Sequence, residues 1–227
     1  SMYGSDPMGR LTWRYLVDEA GHGVSSDILS HAVDLASMLV GPIESVAGTK
    51  ATFITERPLA GEGARHYERG RPDDPTGAVT NEDYAGAMVT FANGARGTFE
   101  TSRTIVGPES QMAFEVYGTE GSARWNLETM NELDVYMVDE TGDRPRGYTK
   151  VYGGDRYPYH GHFVPGDANP IGYEDLKVIE DYEFLSAVTR GEQHEPGFAE
   201  AVRYVEFQSA WLRSCDSQTW ETIASLA

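Results

Sequence analysis

Apolar and polar residues alternate along this chain with two periods, and each period predicts a different kind of element. Between Gly21 and Gly41, apolar residues recur every three to four positions, which predicts a single amphipathic helix bounded by glycines. At about 100° per residue, one stripe of this helix is mostly ionisable: Asp27, His31, Asp34 and Met38. The opposite arc is apolar: Ile28, Leu29, Ala32, Val33, Leu35, Ala36 and Leu39. We therefore expect the apolar arc to pack on a sheet while Asp27 and His31 face a cleft as an acid/base pair.

A period of two predicts strands through the middle of the chain. In residues 83–91, four apolar side chains alternate onto one face: Ala85, Ala87, Val89 and Phe91. Asn93-Gly94 then predicts a tight hairpin turn, because both residues tolerate positive φ. Further strands are predicted at 11–17, 43–54, 97–103, 111–117, 122–125, 133–137 and 220–223, with loops at 56–82 and 140–172. Two more helices are expected at 175–189 and 198–214, the second with Phe and Trp side chains in the core.

The order of these elements predicts an α+β fold. Antiparallel strands followed by helices indicate a large, predominantly antiparallel (mixed) open β-sheet with helices packed on one face. The other face of such a sheet also needs cover, from a partner domain or from a second copy of the chain.

Composition narrows the possible partners. The formal net charge of −18 disfavours nucleic acid and anionic membranes, which need clustered Lys and Arg. The single Cys215 cannot form an internal disulfide, which favours a reducing, cytoplasmic setting and a buried structural thiol. No apolar run approaches the roughly 20 residues of a membrane-spanning helix.

The chain reads as part of a longer protein. Ser1-Met2 resembles a cleavage scar, so residues 1–10 are interpreted as a leader and 11–227 as one domain. Its glycines match neither a dinucleotide fingerprint nor a phosphate-binding lysine loop, and no nucleophile elbow is present. We therefore expect no cofactor-binding residues within this chain.

Five motifs in series resemble the C-terminal domain of the glucose–fructose oxidoreductase, inositol dehydrogenase and rhizopine-catabolism (Gfo/Idh/MocA) family. The helix at 21–41 is similar to the one that opens that domain, although His22 interrupts its first glycine pair. The matching residues are Trp13-Arg14; Asp27, His31, Asp34 and Gly41; Glu82-Asp83 with Phe91-Ala92-Asn93-Gly94-Ala95; Val116-Tyr117-Gly118-Thr119-Glu120-Gly121-Ser122; and Gly191 with Pro196-Gly197-Phe198. The resemblance covers nearly the whole chain in the right order.

This resemblance implies a dihydrodipicolinate-reductase-like domain that binds substrate and forms oligomers. It implies an NAD(P)-dependent dehydrogenase acting on a sugar, cyclitol or related polyol. NAD or NADP would be bound mainly by an N-terminal Rossmann domain, which is absent from this chain. The open sheet face would form a homodimer or homotetramer.

The resemblance also implies roles for individual residues. His31 would accept the substrate hydroxyl proton, and Asp27 would orient the imidazole or hold a neighbouring hydroxyl. Imidazole suits this task because it titrates near neutral pH. Asp34 is expected to pack or cap locally, without a catalytic role.

Other candidate residues have simpler interpretations beside the functional ones. His22, Tyr159 and His160 are candidates for substrate binding. His22 would fit an ordinary loop equally well, and a plain surface loop is the more common setting for Tyr159 and His160. Tyr159-His160-Gly161-His162 has a spacing that zinc could use, but without a second Cys/His cluster we predict no metal site. Asp27 and His31 could be a solvated helix pair. Glu82-Asp83 reads as the start of a strand.

Two rival functions stay open at this stage. The first is a non-catalytic scaffold or sugar sensor with the same fold, which the His22 departure allows. The second is a nicotinamide-assisted glycoside hydrolase. A lysine supplied by an upstream Glu-Lys-Pro segment would support the dehydrogenase, and loss of that lysine would support the scaffold.

Overall fold

A computed structural model describes residues 2–61, 63, 65, 68–139, 141–143 and 146–224, with the backbone alone at 2 and 3. The chain divides into two compact units, one formed by Ser1–Pro108 with Pro196–Ala227 and the other by Glu109–Glu195. Four residues of the predicted loop 56–82 lie outside the described residues: Glu62, Ala64, His66 and Tyr67.

Helices and strands follow one another in the order expected for an α+β chain. The helices are α1 (Met2–Ser5), α2 (Val17–Ala20), α3 (Val24–Asp27), α4 (Leu29–Val40), α5 (His160–Phe163), α6 (Tyr173–Arg190) and α7 (Phe198–Ser217). The strands are β1 (Ile43–Ala51), β2 (Glu56–Pro58), β3 (Thr76–Ala78), β4 (Tyr84–Phe91), β5 (Arg96–Ser102), β6 (Ala113–Tyr117), β7 (Gly121–Asn126), β8 (Glu132–Met137), β9 (Thr149–Tyr152) and β10 (Glu221–Thr222). Every ladder between these strands is antiparallel.

The first unit contains a four-stranded sheet with the order β10-β1-β4-β5. The predicted alternation in β4 is confirmed, because its four inward side chains are buried: Ala85, Ala87, Val89 and Phe91. The predicted hairpin is also confirmed, with Gly94 at a φ of 91° and the Phe91 amide donating to the Ala95 carbonyl at 3.0 Å. These residues form the sheet side of the main core.

Helices α4 and α7 cover the same face of that sheet. Val33 from α4 and Trp211 from α7 belong to one buried cluster with Val46 and Val89. The Trp211 indole donates to the Gly86 carbonyl at 2.9 Å, so its polar atom is satisfied inside the core. The expected packing of helices on one face is therefore confirmed for this sheet.

The second unit contains another four-stranded sheet, with the order β6-β7-β8-β9. One row across all four strands alternates in charge: Glu115, Arg124, Asp134 and Lys150. Arg124 Nε lies 3.0 Å from Asp134 Oδ2, and Lys150 Nζ lies 3.5 Å from Asp134 Oδ1. The neighbouring row, on the opposite face, is apolar and half-buried: Phe114, Trp125, Leu133 and Val151.

The α+β class with antiparallel strands is confirmed, but the described strands are divided between separate sheets. The segment 103–112 between β5 and β6 contains Gly107, at a φ of 120°, and Pro108, which has no amide to donate to a ladder. A two-stranded sheet of β2 and β3 lies within the predicted loop 56–82, and β9 and α5 lie within the predicted loop 140–172.

Three local predictions were wrong. Residues 11–17 do not form a strand, because Trp13–Tyr15 is a 3₁₀ turn followed by α2. The helix expected at 21–41 is interrupted at Ile28, where φ is −118°. Phe198 is 87 % exposed and does not belong to the core, whereas Phe207 and Trp211 of the same helix are buried as expected.

Candidate functional site

Asp27 and His31 lie on an exposed stripe of the first unit. Asp27 ends α3, and His31 is the third residue of α4, on the far side of the break at Ile28. The four stripe residues are all exposed: Asp27, His31, Asp34 and Met38. On the opposite side of α4, Leu29 and Val33 are buried in the core. The amphipathic pattern therefore places the ionisable groups outward, on an element held down by its apolar face.

Among the described residues, Arg14 forms an ion pair with Asp27. Its Nη1 lies 3.4 Å from Asp27 Oδ1 and 3.5 Å from Oδ2, and its guanidinium lies 4.8 Å from the centroid of the Trp13 ring. Because both side chains of the ion pair are partly exposed, the pair contributes at most about 1 kcal/mol to stability. Its clearer effect is to restrict where the Asp27 carboxylate points. Sequence reasoning used Trp13-Arg14 only for the resemblance and missed this contact.

The backbone of Arg14 is held by a buried polar network. Its carbonyl accepts hydrogen bonds from Asn81 Nδ2 at 3.0 Å and from Arg103 Nη1 at 3.2 Å. Arg103 Nε pairs with the fully buried Asp83 at 2.7 Å, and Arg103 Nη2 donates to Asn81 Oδ1 at 2.7 Å. Removing one member of such a network would leave buried polar groups unpaired, so the turn at Arg14 is strongly held in place.

Tyr15 explains why this segment forms a turn and not the predicted strand. Its ring lies between two guanidinium groups, with Arg57 at 4.2 Å and Arg103 at 4.5 Å from the ring centroid. Arg57 is itself fully buried and donates to the carbonyls of Gly4 and Asp6 at 2.6 and 2.7 Å. These contacts join residues distant in sequence, so local periodicity contains no sign of them.

His22 lies in the first unit, between two glycines. It is half-buried, directly after Gly21, whose φ of 70° suits a residue without a Cβ. This position is close in sequence to the exposed stripe, and a substrate-binding role for His22 stays a prediction.

Tyr159 and His160 lie in the second unit, and each has polar contacts there. The Tyr159 hydroxyl donates to Glu183 of α6, and this hydrogen bond, with burial and the negative charge of Glu183, raises the pKa of Tyr159. His160 Nε2 lies 3.3 Å from Asn131 Oδ1. Tyr159 also has a φ of 69°, which is uncommon outside glycine and marks a strained position. Asp27 and His31 belong to the first unit, and the substrate-binding roles of Tyr159 and His160 stay predictions.

The described residues contain neither a cluster of metal ligands nor a helix that could span a membrane. In this part of the chain, no three His, Cys, Asp or Glu side chains are grouped so that they could hold a metal ion. None of the described helices combines the length and the apolar character needed to cross a bilayer.

The fold and the exposed Asp27–His31 stripe define an α+β domain with an open polar face, and sequence comparison identifies its family. Residues 1–124 match the family model described as the GFO/IDH/MocA C-terminal domain. The chain belongs to this family, and the resemblance inferred from its motifs is confirmed.

Similar proteins are oxidoreductases. The chain is 34 % identical over 226 residues to levoglucosan dehydrogenase from Pseudarthrobacter phenanthrenivorans. The aligned region covers 99 % of this chain and 58 % of that protein. A solved structure of levoglucosan dehydrogenase in complex with NADH and L-sorbose has a TM-score of 0.89 and 34 % identity, covering 98 % of this chain and 56 % of that one. A complex of levoglucosan dehydrogenase with NADH and levoglucosan has a TM-score of 0.87 and 33 % identity, with the same coverage. The chain thus spans a little over half the length of these relatives.

Proposed function

We propose that this chain is the substrate-binding domain of an NAD(P)-dependent dehydrogenase that oxidises a hydroxyl of a sugar, cyclitol or related polyol. The observation that carries the proposal is the exposed stripe of Asp27 and His31, with Arg14 paired to Asp27. Similarity to levoglucosan dehydrogenase, whose structures contain NADH with L-sorbose or levoglucosan, supports a sugar-like substrate and favours NAD.

His31 is the proposed general base. Its imidazole is exposed on α4 and would accept the proton of the substrate hydroxyl as that carbon is oxidised. Asp27, held by Arg14, would orient the imidazole or accept a hydrogen bond from a neighbouring hydroxyl. Asp27 ends α3 and His31 lies on α4, and both helices are held by buried residues on their inner side. These helices give the two groups a rigid support, which proton transfer over hydrogen-bond distance requires.

The nicotinamide cofactor would be held mainly by another domain. Among the described residues, no buried strand leads through a glycine-containing turn into a helix as a dinucleotide fingerprint requires, so these residues do not form a pyrophosphate site of that kind. When bound, the cofactor supplies a hydride acceptor. This chain is proposed to supply one wall of the substrate-binding site and the proton acceptor. We propose that an N-terminal Rossmann domain completes the site.

His22, Tyr159 and His160 are proposed to contact substrate hydroxyls. In the structure, the Tyr159 hydroxyl donates to Glu183, so a substrate oxygen would have to share or replace that contact. Tyr159→Phe then raises KM more than it lowers kcat, because it removes binding and leaves the proton acceptor in place.

The test is nicotinamide reduction by the full gene product that contains this chain. Sugars, inositols and levoglucosan are screened with NAD and with NADP by absorbance. For the best substrate, His31→Ala is expected to lower kcat by about 100-fold or more while cofactor binding is unchanged, since general-base catalysis contributes about 10²–10⁴-fold. Asp34→Asn, on the same exposed stripe, is the matched control and is expected to keep nearly full activity.

Two results would contradict the proposal. An undiminished rate in His31→Ala would remove this residue from the mechanism. Sugar binding without nicotinamide reduction would favour the scaffold or sensor, and cleavage of a glycoside by protein with bound cofactor would favour the hydrolase.

The assembly and location are also part of the proposal. The face of the first sheet away from α4 and α7 carries small and polar side chains around the half-exposed Met88, and we propose that this face joins two or four copies. Light scattering of the full protein, with Met88→Lys as the disrupting variant, tests this interface. A cytoplasmic location is proposed from the single cysteine and is checked by cell fractionation.

A further inference from the structure

Glu82 is a buried carboxylate that the proposed reaction does not use. Its side chain is 6 % exposed, and the residue lies directly before Asp83 and two residues before β4. One carboxylate oxygen, Oε1, accepts hydrogen bonds from the Ser25 amide at 3.0 Å and from the Ser25 hydroxyl at 2.7 Å. Burial raises the pKa of Glu82. These hydrogen bonds and others from backbone amides together lower the pKa by more than burial raises it, so the net pKa lies below the ordinary value. Glu82 therefore binds the first turn of α3 as an anion.

The backbone of Glu82 contacts the same turn. Its carbonyl accepts a hydrogen bond from the Val24 amide at 3.1 Å. Gly23 lies so close that a Cβ placed there would be 2.1 Å from the Glu82 carbonyl oxygen. Main chain and side chain of one residue thus hold residues 23–25, and only a glycine permits the approach.

The outer side of this turn is held by α7. Gln208 Nε2 donates to the Ser25 hydroxyl at 3.1 Å and to the Ser26 hydroxyl at 2.8 Å. Ser25 therefore sits between Glu82 and Gln208, and Asp27 follows two residues later at the end of the same short helix.

The residues on either side of Glu82 hold the backbone of Arg14, the ion-pair partner of Asp27. Asn81 donates directly to the Arg14 carbonyl, and Asp83 pairs with Arg103, which donates to the same carbonyl. The segment Asn81-Glu82-Asp83 consequently contacts both elements of the Arg14–Asp27 ion pair. Along the chain, α2 and the residues 21–23 separate the two elements, and this segment contacts both of them directly, so it contributes to their relative position.

We propose that Glu82 is a positioning residue, which directs the Asp27 carboxylate by fixing the start of α3. The proposal rests on the proposed function, in which His31 accepts the proton and Asp27 orients the imidazole or holds a neighbouring hydroxyl. Glu82 itself is buried beneath α3 and acts only through Ser25 and the backbone of the turn. A misplacement of a supporting group by about 1 Å can cost about 10²-fold in rate, so a buried tether of this kind can affect turnover strongly.

The experiment compares Glu82→Gln and Ser25→Ala with wild type in the full-length protein. Glu82→Gln keeps the size of the side chain and one acceptor oxygen but removes the charge. We expect kcat to fall about 10- to 100-fold while KM changes less than about threefold, because orientation is lost and substrate contacts are kept. Ser25→Ala is expected to change kcat in the same direction by a smaller factor.

Ser214→Ala is the matched structural control. Ser214 is also buried in the first unit, where its hydroxyl accepts from the Gly48 amide and donates to the Thr219 carbonyl. This variant loses buried hydrogen bonds as Glu82→Gln does, but it has no described contact with α3. It is expected to lower the Tm and to leave kcat within about twofold of wild type.

A double-mutant cycle with Asp27 separates positioning from general destabilisation. If Glu82 acts through Asp27, Glu82→Gln lowers kcat in the wild-type background and has no further effect in an Asp27→Asn background. Multiplicative losses in the double variant would overturn the proposal, as would a Glu82→Gln enzyme that matches Ser214→Ala in Tm and in kcat.

Hydrogen exchange provides a readout that does not depend on turnover. The amides of Ser25, Ser26 and Asp27 are all hydrogen-bonded in the structure. Glu82→Gln is expected to speed their exchange by about tenfold or more, while Ser214→Ala leaves them unchanged. If wild type shows no dehydrogenase activity, the proposed function fails; unchanged exchange at these amides overturns the role of Glu82 whether or not the enzyme turns over.

Discussion

Replacing Gly23 with alanine tests whether close approach to Glu82 holds α3 in place. The added Cβ would lie 2.1 Å from the Glu82 carbonyl oxygen and 3.0 Å from its carbon. A carbon contact needs about 3.4 Å or more, so α3 and residue 82 must separate by roughly 1 Å. Both neighbouring atoms belong to backbone, which cannot rotate away as a flexible side chain can.

The expected loss of stability follows from this separation. Overpacking of a tight site costs about 1–3 kcal/mol. The hydrogen bonds of Glu82 with Val24 and Ser25 would lengthen from 3.1 and 3.0 Å, and each contributes about 1 kcal/mol. Alanine recovers about 0.4–1 kcal/mol by restricting the unfolded chain. The net expectation for Gly23→Ala is a loss of about 2–4 kcal/mol.

Urea unfolding followed by circular dichroism measures this loss. Gly21→Ala is the matched control, since Gly21 has a φ of 70° and no atom lies within 4 Å of the place that a Cβ would take. Its expected cost is about 1–3 kcal/mol, from the backbone conformation at φ 70° and ψ −130° alone. If Gly23→Ala unfolds within about 0.5 kcal/mol of wild type at an unchanged slope, the steric argument is refuted.

Two further predictions concern buried titratable groups. The pKa of Glu82 is lowered in the folded chain from an ordinary value of 4.5, so its contribution to stability is present above that pH and is lost as pH falls through the folded pKa. Acid unfolding of Glu82→Gln should therefore have a shallower pH dependence than wild type, and an identical slope would contradict the assignment. For Cys215, burial raises the pKa of the thiol from 9.0 to about 11. At pH 8 its alkylation by iodoacetamide should be slower by about 100-fold or more in the folded chain than in urea, because the thiolate fraction falls about tenfold per pKa unit. Equal rates in the two states would show that this thiol is accessible.

Alternation and helical periodicity predicted the elements that bury one face and expose the other. The inward face of β4 and the buried side of α4 follow directly from the spacing of their apolar residues. The Asp27–His31 stripe could be found in the same way, because the exposed side of a helix is the complement of its apolar arc. A family resemblance was still needed to suggest chemistry, since an exposed Asp/His pair alone is a common solvated feature.

Predictions failed where distant residues decide the local conformation. Residues 11–17 have the composition of a strand, yet two guanidinium groups enclose Tyr15 and the backbone forms a turn. The charged Arg57 reads as a loop residue in sequence but is fully buried. The cost of burying the Arg57 guanidinium is offset by hydrogen bonds to the carbonyls of Gly4 and Asp6. These residues lie about 50 positions away, so no local sequence pattern contains the contact.

Local spacing of apolar residues was sufficient to predict which side of the helix carries Asp27 and His31, and the order of the predicted elements was sufficient for the α+β class. The family was identified from a resemblance of motifs that extend along nearly the whole chain. The ion pair of Arg14 with Asp27 and the tether from Glu82 to Ser25 emerged only in three dimensions. Both contacts join residues that belong to different elements, so no apolar pattern within one element predicts them. Their geometry depends on buried hydrogen bonds that form once the sheet and helices have packed.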